Sequence, residues 1–470
     1  MPDPVSGPFH PGGSPTVAVI GGGFSGLLTA LHLLTAAPAL TVRLIERAPT
    51  FGRGRAYVGG HRDHLLNVRA SNMSAYPDRP DHFLDWIRGQ GQNLFDGFVS
   101  RGRYGEYLQH LLREAVARPA HAGRLLLEPD EAVGVAARAG GFDVDLALGR
   151  TISAGAVVLA IGALPPIPPA QAGAGVLSAP GYFADPWGVN LDETAPGEVL
   201  LLGSGLTMID VALSLAHLDR PLIALSRRGL LPRIHASTSP APPPDGLPAS
   251  PLRVLRLLRA YAVATTWRQA VDSVRPATAA LWRSWSTAQR RQFLRHLRPW
   301  WDAHRHRMAP VVGARISGLL ASGGLAIEAG RLTRIERSEE GFEVHYRARG
   351  ASGAVTRTFA AIVNCTGSTG DLAQDRSGLL AGLVERGLIA ADPLGLGLAM
   401  ADGLRVAGRD GRPTRGLYAV GPLARAATWE SIAIPDLREQ AHTLAMTVAA
   451  DLSVEPGPAF AAPAASSVRR

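Results

Sequence analysis

Continuous apolar runs that end on glycine recur along this chain. They are Thr16-Val-Ala-Val-Ile-Gly21, Ala156-Val-Val-Leu-Ala-Ile-Gly162, Glu198-Val-Leu-Leu-Leu-Gly203 and Ala361-Ile-Val-Asn-Cys-Thr-Gly367. Runs of this kind, largely apolar and closed by glycine, predict strands ending in tight turns. The first and third pass into Leu- and Ala-rich stretches that predict helices, the first of them to about Leu34. Before the second and fourth runs the pattern changes to alternation. Glu131–Gly162 and Leu332–Gly367 each read as strand, turn, strand, turn, strand. Strand, glycine turn and helix, followed by a meander and a second glycine turn, therefore occur twice. The internal duplication predicts two dinucleotide sites.

The spacing Gly21-x-Gly23-Phe24-Ser25-Gly26 suits a dinucleotide pyrophosphate. The first glycine allows the turn, the second lets phosphates approach the backbone, and the third lets helix and strand pack closely. The helix N-terminus then offers free N–H groups and a positive dipole end. Thr41-Val-Arg-Leu-Ile-Glu46 is a second strand ending, twenty residues beyond Gly26, in an acid placed to accept hydrogen bonds from ribose hydroxyls, with Arg47 beside it as a further cofactor-binding candidate. The second copy, Gly203-Ser-Gly205-Leu206-Thr207-Met208, has methionine at the third-glycine position, and its following strand ends Ser226-Arg227-Arg228. An acid fits a free 2′-hydroxyl and repels a 2′-phosphate, whereas arginines clamp that phosphate. The first site therefore fits FAD and the second NADPH, with NADH the second choice there.

Less regular segments lie between these landmarks. The loops Phe51–Tyr57, with Gly54, and His64–Pro77, with Asn67 and Met73, read as ligand-wrapping excursions. Residues 80–117 predict helix. Gly416–Val420 predicts a short buried strand closed by Gly421-Pro422, and a last helix runs to about Ala450, its N-terminus suited to a reduced flavin's pyrimidine ring. After the proline-rich run Ser237–Pro251, residues 251–310 read as helical, with twelve arginines and three histidines against two aspartates, a formal +10. At its end, Pro299–Pro310, interleaved Arg and Trp would suit stacking and phosphate contacts with nucleic acid; an arginine-lined helix pair packed over the cofactor cleft is the favoured reading. His304 and His306, two apart, fall on different helix faces and do not make a metal pair.

Composition narrows the chemistry. All 48 basic residues are arginine, which removes lysine Schiff bases and Walker-type phosphate loops. The single cysteine, Cys365, rules out intrachain disulfides and CxxC redox chemistry. With hydrophobic residues at 46% the body is globular, and no apolar run is long enough to span a membrane. The N-terminus lacks the features of a signal peptide, so a cytoplasmic protein is expected. The expected fold class is α/β, with two Rossmann-like dinucleotide-binding domains of three-layer ββα character, their β-meanders, and a basic helical insertion. Expected boundaries are disorder at 1–15, a first FAD-binding part at 16–196, an NAD(P)H-binding domain at 197–360 including helical 251–320, a second FAD-binding part at 361–453, and a disordered tail at 454–470.

This order resembles the two-dinucleotide-binding-domain flavoproteins. Within them, GRGRAY, HLLNVRASNMSAYPDRPDHFLDW, GSGLTMIDVAL, SRRGLLPR, RPWWDAHRHRMAP and IVNCTG resemble a bacterial family of FAD/NAD(P)-binding proteins related to FAD-dependent urate hydroxylase and aspartate N-monooxygenase. The resemblance implies a monooxygenase: NADPH reduces the flavin, oxygen adds to it, and a flavin hydroperoxide hydroxylates a small nitrogen-containing molecule, a purine such as urate or an amino acid. The partners implied are that substrate and oxygen, with no metal. One departure is visible. Related enzymes carry Phe-x-Gly-x-x-x-His before the second glycine loop, where this chain has Gly181-Tyr-Phe-Ala-Asp-Pro-Trp187. A flavin reductase that passes electrons on without oxygen transfer, and a non-catalytic redox sensor, are the competing readings.

Overall fold

The computed structural model describes residues 15–58, 64–91, 97–192 and 194–452. The two expected disordered ends therefore lie, apart from Pro15 at one and none at the other, outside the described residues. The first unit is a six-stranded sheet in the order β15-β16-β7-β1-β2-β3. Its strands are β1 (Thr16–Ile20), β2 (Thr41–Ile45), β3 (Leu125–Glu128), β7 (Ala156–Leu159), β15 (Arg405–Ala407) and β16 (Pro413–Ala419). A separate three-stranded meander, β4 (Ala132–Arg138), β5 (Gly141–Leu146) and β6 (Thr151–Ala154), belongs to the same half of the chain. The second unit is a seven-stranded sheet in the order β13-β12-β11-β10-β9-β14-β8. It comprises β8 (Tyr182–Phe183), β9 (Val199–Leu202), β10 (Leu222–Ser226), β11 (Leu325–Ser338), β12 (Gly341–Ala348), β13 (Ala354–Phe359) and β14 (Ala361–Asn364).

The duplication holds at the level of register. β1 lies parallel between β2 and β7, and β9 lies parallel between β10 and β14. Each copy is three layers, as the pattern predicted. In the first, the helices Phe24–Ala36 and Ile434–Asp451 cover one face through one hydrophobic core, while β4–β6 cover the other through a second. In the second copy the corresponding cores are built around the helix Leu206–Leu215 and around β11–β13. The copies differ at one joint: β11 is fourteen residues long, pairing with β10 over Leu325–Ala329 and then with β12, so the meander is continuous with the sheet. The sheets also divide later than the expected break at 360. β14 pairs with β9 and β8, so the second sheet runs from Tyr182 to Asn364.

β1, β7, β9 and β14 are buried almost throughout, which is why their sequences are apolar without alternation. The helix Phe24–Ala36 is likewise buried from Phe24 to Leu34, because the sheet takes one side and Ile434–Asp451 the other.

Residues 251–321 form the expected helical insertion, from Pro251–Ala264 through Arg298–Arg305 to Pro310–Ala321. It leaves the second unit and docks on the return segment of the first. Trp282, Trp285 and Phe293 pack with Leu396, Ala426 and Trp429, and the Trp282 indole N–H donates to the Ala426 carbonyl at 2.8 Å. Beside this contact Trp301 donates to Glu430 at 2.9 Å, and Arg305, 8% exposed, lies 3.9 Å from Glu430 and 3.6 Å from Asp436, with Arg275 3.5 Å from Asp436. The two carboxylates respond oppositely. At Glu430, burial alone would raise the pKa, but Arg305, His306, Trp301 and Arg425 outweigh it and hold the group below the usual carboxylate range. At Asp436 burial wins over Arg275 and Arg305, and the pKa is raised.

Two consequences are measurable. A Cβ on Gly26 would stand 1.8 Å from the Gly21 carbonyl oxygen, so Gly26→Ala is expected to lower unfolding free energy in urea by about 1–3 kcal/mol through forced separation of helix and turn. Glu430 contributes stability above the unfolded carboxyl pKa of about 4.3, lost as pH falls through its lower folded value. Asp436 favours the folded state at low pH, and that contribution is lost as pH rises through its raised folded pKa. Glu430→Gln should therefore destabilise at pH 7 by about 1–3 kcal/mol, Asp436→Asn should be neutral or stabilising there, and urea titrations at about pH 4 and below should show the difference closing.

Candidate functional site

The first glycine turn is built from contacts that leave no room for side chains. Gly21, at φ +102°, donates its N–H to the Ile45 carbonyl at 2.9 Å, and a Cβ there would meet the Ala160 carbonyl oxygen at 2.4 Å. The turn is thus wedged between β2 and the end of β7. Gly23 caps the helix Phe24–Ala36 with no side-chain hydrogen bond and no acidic residue in the first turn, leaving the helix N–H groups for an anion. The loop Phe51–Tyr57 folds over this turn. Gly52 donates to the Gly22 carbonyl, and Gly23 and Gly54 cross so closely that a Cβ on either would lie within 3.3 Å of the other's Cα. Phe24 and Ser25 are buried beneath, and from the other end of the chain Gly421, φ +87°, approaches Ser25, whose hydroxyl would be 3.1 Å from a Cβ there. Gly421 and Pro422 thus stand beside the turn.

Glu46 lies at the end of β2. It accepts the Gly22 N–H at 2.8 Å through one carboxylate oxygen and the Ala48 N–H at 2.9 Å through the other. A carboxylate has about four acceptor positions, so two remain for ribose hydroxyls. Arg47 points elsewhere, exposed and paired with Glu131 at 3.0 Å. Gly162, φ +79°, has nothing within 4 Å of a built Cβ, an open approach at the end of β7. These features fit a dinucleotide pyrophosphate: bare glycine backbone, an uncapped helix N-terminus and an acid beside it.

The second turn repeats the first. Gly203, φ +111°, donates to the Leu225 carbonyl at 2.8 Å and would clash with the Cys365 carbonyl oxygen at 2.7 Å. Gly205 caps the helix Leu206–Leu215 without a side-chain bond, and is exposed with open space around it. Leu206 and Thr207 are the first helical residues, and Gly367, φ +86°, opens the approach as Gly162 does. Met208, at the third-glycine position, is fully buried in the second unit's core, so a side chain is accommodated where Gly26 allows none. Arg227 is exposed and Arg228 half-buried, just beyond β10.

The loop from His64 to Met73 bridges the two units, a role its sequence did not reveal. His64 hydrogen-bonds Ser214 at 2.7 Å and the Asp210 carbonyl at 3.2 Å, Arg101 pairs with the buried Asp210 carboxylate at 3.0 Å, and the Asn67 carbonyl bonds His235 at 3.0 Å. These four contacts, from His64 and Asn67 in the excursion and from Arg101 beyond it, tie the FAD side to the second unit, three of them reaching the helix that follows its glycine turn. Met73 is fully buried in the first core, its carbonyl accepting from Tyr104.

The insertion's arginines divide into two sets. Arg268, Arg275, Arg290, Arg298, Arg305 and Arg307 turn inward onto carbonyls, carboxylates or indoles. Arg253, Arg256, Arg259, Arg283, Arg291 and Arg295 are exposed. Trp282 and Trp285 face the core and only Trp300 is exposed to 43%, so the aromatic component of a single-strand binding surface is turned inward. His304 and His306 are separately engaged, the first with the Trp300 carbonyl and the edge of Trp267, the second near Asp302.

Comparison with known proteins agrees with this geometry. A family model described as FAD-NAD(P)-binding matches residues 18–164, which hold the first glycine turn, Glu46, the covering loops and Gly162. No curated protein sequence matches the chain. Among solved structures, ornithine hydroxylase from Pseudomonas aeruginosa superposes with a TM-score of 0.64 at 17% identity, covering 93% of this chain and 99% of the other. L-Lysine 6-monooxygenase from Pseudomonas syringae gives 0.64 at 18%, with the same coverage of both chains. Bacillithiol disulfide reductase from Bacillus cereus gives 0.53 at 14%, again covering 93% and 99%. The overall fold is therefore shared with amino-acid hydroxylases and a disulfide reductase alike.

Proposed function

We propose that this chain is an FAD- and NADPH-dependent monooxygenase that hydroxylates a small nitrogen-containing molecule, a purine or an amino acid. The observation that carries the reading is the pair of glycine turns, alike in backbone geometry and unlike at their strand ends. One has a carboxylate and suits FAD; the other has two arginines and suits a 2′-phosphorylated nucleotide. The matched family's FAD-NAD(P)-binding description supports the cofactors, and the ornithine N-hydroxylase from Kutzneria sp. 744, whose structure holds reduced FAD, NADP+ and L-ornithine and superposes at a TM-score of 0.63, supports the reaction class.

In this reading NADPH, a proton, oxygen and substrate give NADP+, water and a substrate carrying one oxygen atom. Bound flavin supplies hydride acceptance and oxygen activation, and the chain supplies binding, position and dryness. Gly21, Gly23 and Gly26 let the pyrophosphate reach the helix N-terminus, and Glu46 orients the adenosine. Gly54 closes the loop over the turn. The bridge through His64, Arg101 and Asp210 keeps the second nucleotide site at a fixed distance from the first. The insertion, anchored on Trp429 and Glu430, packs against the segment that follows Gly421, where it excludes water.

The disulfide-reductase likeness does not extend to thiol chemistry within this chain. Cys365 is the sole cysteine, 3% exposed, and burial pushes its thiol pKa up, away from the reactive thiolate. A reductase of some other acceptor is the second reading, favoured by the missing Phe-x-Gly-x-x-x-His residues at Gly181–Trp187.

Stopped-flow reduction of the FAD-loaded protein with NADPH, followed by labelled oxygen and a panel of urate, other purines and amino acids, separates the two. Label in a hydroxylated product, with NADPH and oxygen consumed one to one, is expected; release of all oxygen as peroxide with every substrate would overturn oxygenation. Arg227→Ala with Arg228→Ala is expected to raise KM for NADPH about 10–100-fold, the loss of one or two charge-assisted hydrogen bonds, with FAD content unchanged. Gly205→Ala should leave urea stability within about 1 kcal/mol, because a Cβ there meets nothing within 4 Å, and still weaken NADPH binding by blocking the phosphates.

A further inference from the structure

The two glycine turns can be compared position by position. Gly21 bonds the Ile45 carbonyl and Gly203 the Leu225 carbonyl, so Ile45 matches Leu225 and the residues one step on, Glu46 and Ser226, are equivalent. By the same count Gly22 matches Ser204. The position of the ribose-facing acid in the first site is therefore held by Ser226 in the second, and the two arginines stand one and two residues beyond it.

In the first site this pair is Gly22 N–H donating to Glu46 at 2.8 Å. In the second it is a contact of 2.8 Å between the hydroxyls of Ser204 and Ser226. The directions of the bonds are fixed by proton count. Ser204 donates its hydroxyl to the Leu230 carbonyl at 2.7 Å, so it can only accept from Ser226, and Ser226 in turn accepts the Gly229 N–H at 3.0 Å. A continuous chain results: Gly229 N–H to Ser226, Ser226 to Ser204, Ser204 to Leu230. Ser204 is 7% exposed, and Gly229 takes φ +60° with its Cα side against Ala329. The turn Ser226–Leu230, which holds Arg227 and Arg228, is stapled at both of its ends to the middle residue of the phosphate loop.

We propose that Ser204 and Ser226 are positioning residues that set the second site's preference for a 2′-phosphorylated nucleotide. This inference rests on the reading of that site as the NADPH site. Two effects combine. The acid position is neutral, so a 2′-phosphate meets no like charge, and the staple holds the arginine turn at one distance from the pyrophosphate loop, so the guanidiniums need not be ordered at the moment of binding. Linked hydroxyls strengthen one another in a buried setting, so loss of either should release the whole turn.

The test uses the FAD-loaded full chain and titrates adenosine 2′,5′-bisphosphate and ADP by calorimetry, a readout independent of turnover. Wild type is expected to bind the 2′-phosphorylated probe at least tenfold more tightly. Ser204→Ala and Ser226→Ala are each expected to erase most of that ratio while changing ADP affinity less than about twofold. Ser226→Thr, which keeps the hydroxyl, should restore the ratio, and Ser226→Glu, which copies Glu46, should reverse it. Retained flavin absorbance and an unchanged melting midpoint certify each variant's fold. Wild-type selectivity in both alanine variants, or an equal loss for both probes with no rescue by threonine, would overturn this inference and leave the NADPH reading intact. No preference in wild type would overturn both.

Discussion

Everything at the nucleotide ends of this protein depends on a backbone contact in which a glycine Cα lies against a carbonyl of the neighbouring strand. Gly21 sits on the Ala160 carbonyl and Gly203 on the Cys365 carbonyl, each at a positive φ that L side chains rarely adopt. A Cβ at either place would push the turn off the sheet. Because both contacts are kept, β1 and β9 deliver their following helices with N-termini that carry no side-chain cap, an arrangement that suits an anion. The third position shows how much of the motif is packing and how much is binding. Gly26 is required by a 1.8 Å approach to Gly21, yet Met208 occupies the same position in the second unit as a buried core residue. Turn and helix N-terminus are therefore the common requirement, and close packing of helix on turn is particular to the first site.

The parts of this design that are local in the chain were legible in the sequence. The apolar runs ending on glycine, the repeated meanders and the helical insertion each leave a pattern within a window of ten to thirty residues, and each was found in place. The strand-end contrast was legible in its chemistry and misaligned in its register. Reading Arg227 against Glu46 compares residues one step apart, because the end of a strand is defined by its hydrogen bonds to a neighbour and not by its own composition. That single step hides Ser226, and with it the hydroxyl chain to Ser204.

The long-range ties were not legible at all. His64 meets Ser214 and Arg101 meets Asp210 across more than a hundred residues, and nothing within either segment marks the pairing. The insertion gave a partial signal. Its twelve arginines were visible as charge, against a remainder of the chain with 36 basic and 37 acidic residues, so the excess is local and is not the composition bias that replaced lysine. Which arginines face inward depends on partners brought together by the fold: Asp272 and Trp267 from elsewhere in the insertion, and Glu430, Asp436, the Ile234 carbonyl and Trp429 from other segments. A basic stretch in one dimension thus resolves into a structural set and a solvated set in three.

The inward set bears on how such an insertion can seat against the return segment without collapsing onto it. Burying a guanidinium costs several kcal/mol unless it is paired, and a pair of buried opposite charges recovers that cost only with good geometry. Here the pairing is uneven: the cations around Glu430 outweigh its burial and lower its pKa, while at Asp436 burial outweighs Arg275 and Arg305 and raises it. Arg425, close against Trp429 and buried, has its pKa lowered to about 10 by burial. The contact between insertion and return segment is therefore carried by the packing of Trp282, Phe293 and Trp429, which is insensitive to charge. The ionic cluster around it adds specificity of seating at little net gain. An apolar anchor with an ionic rim around it holds the insertion against the return segment in one position, while its exposed arginines carry the positive charge into solvent.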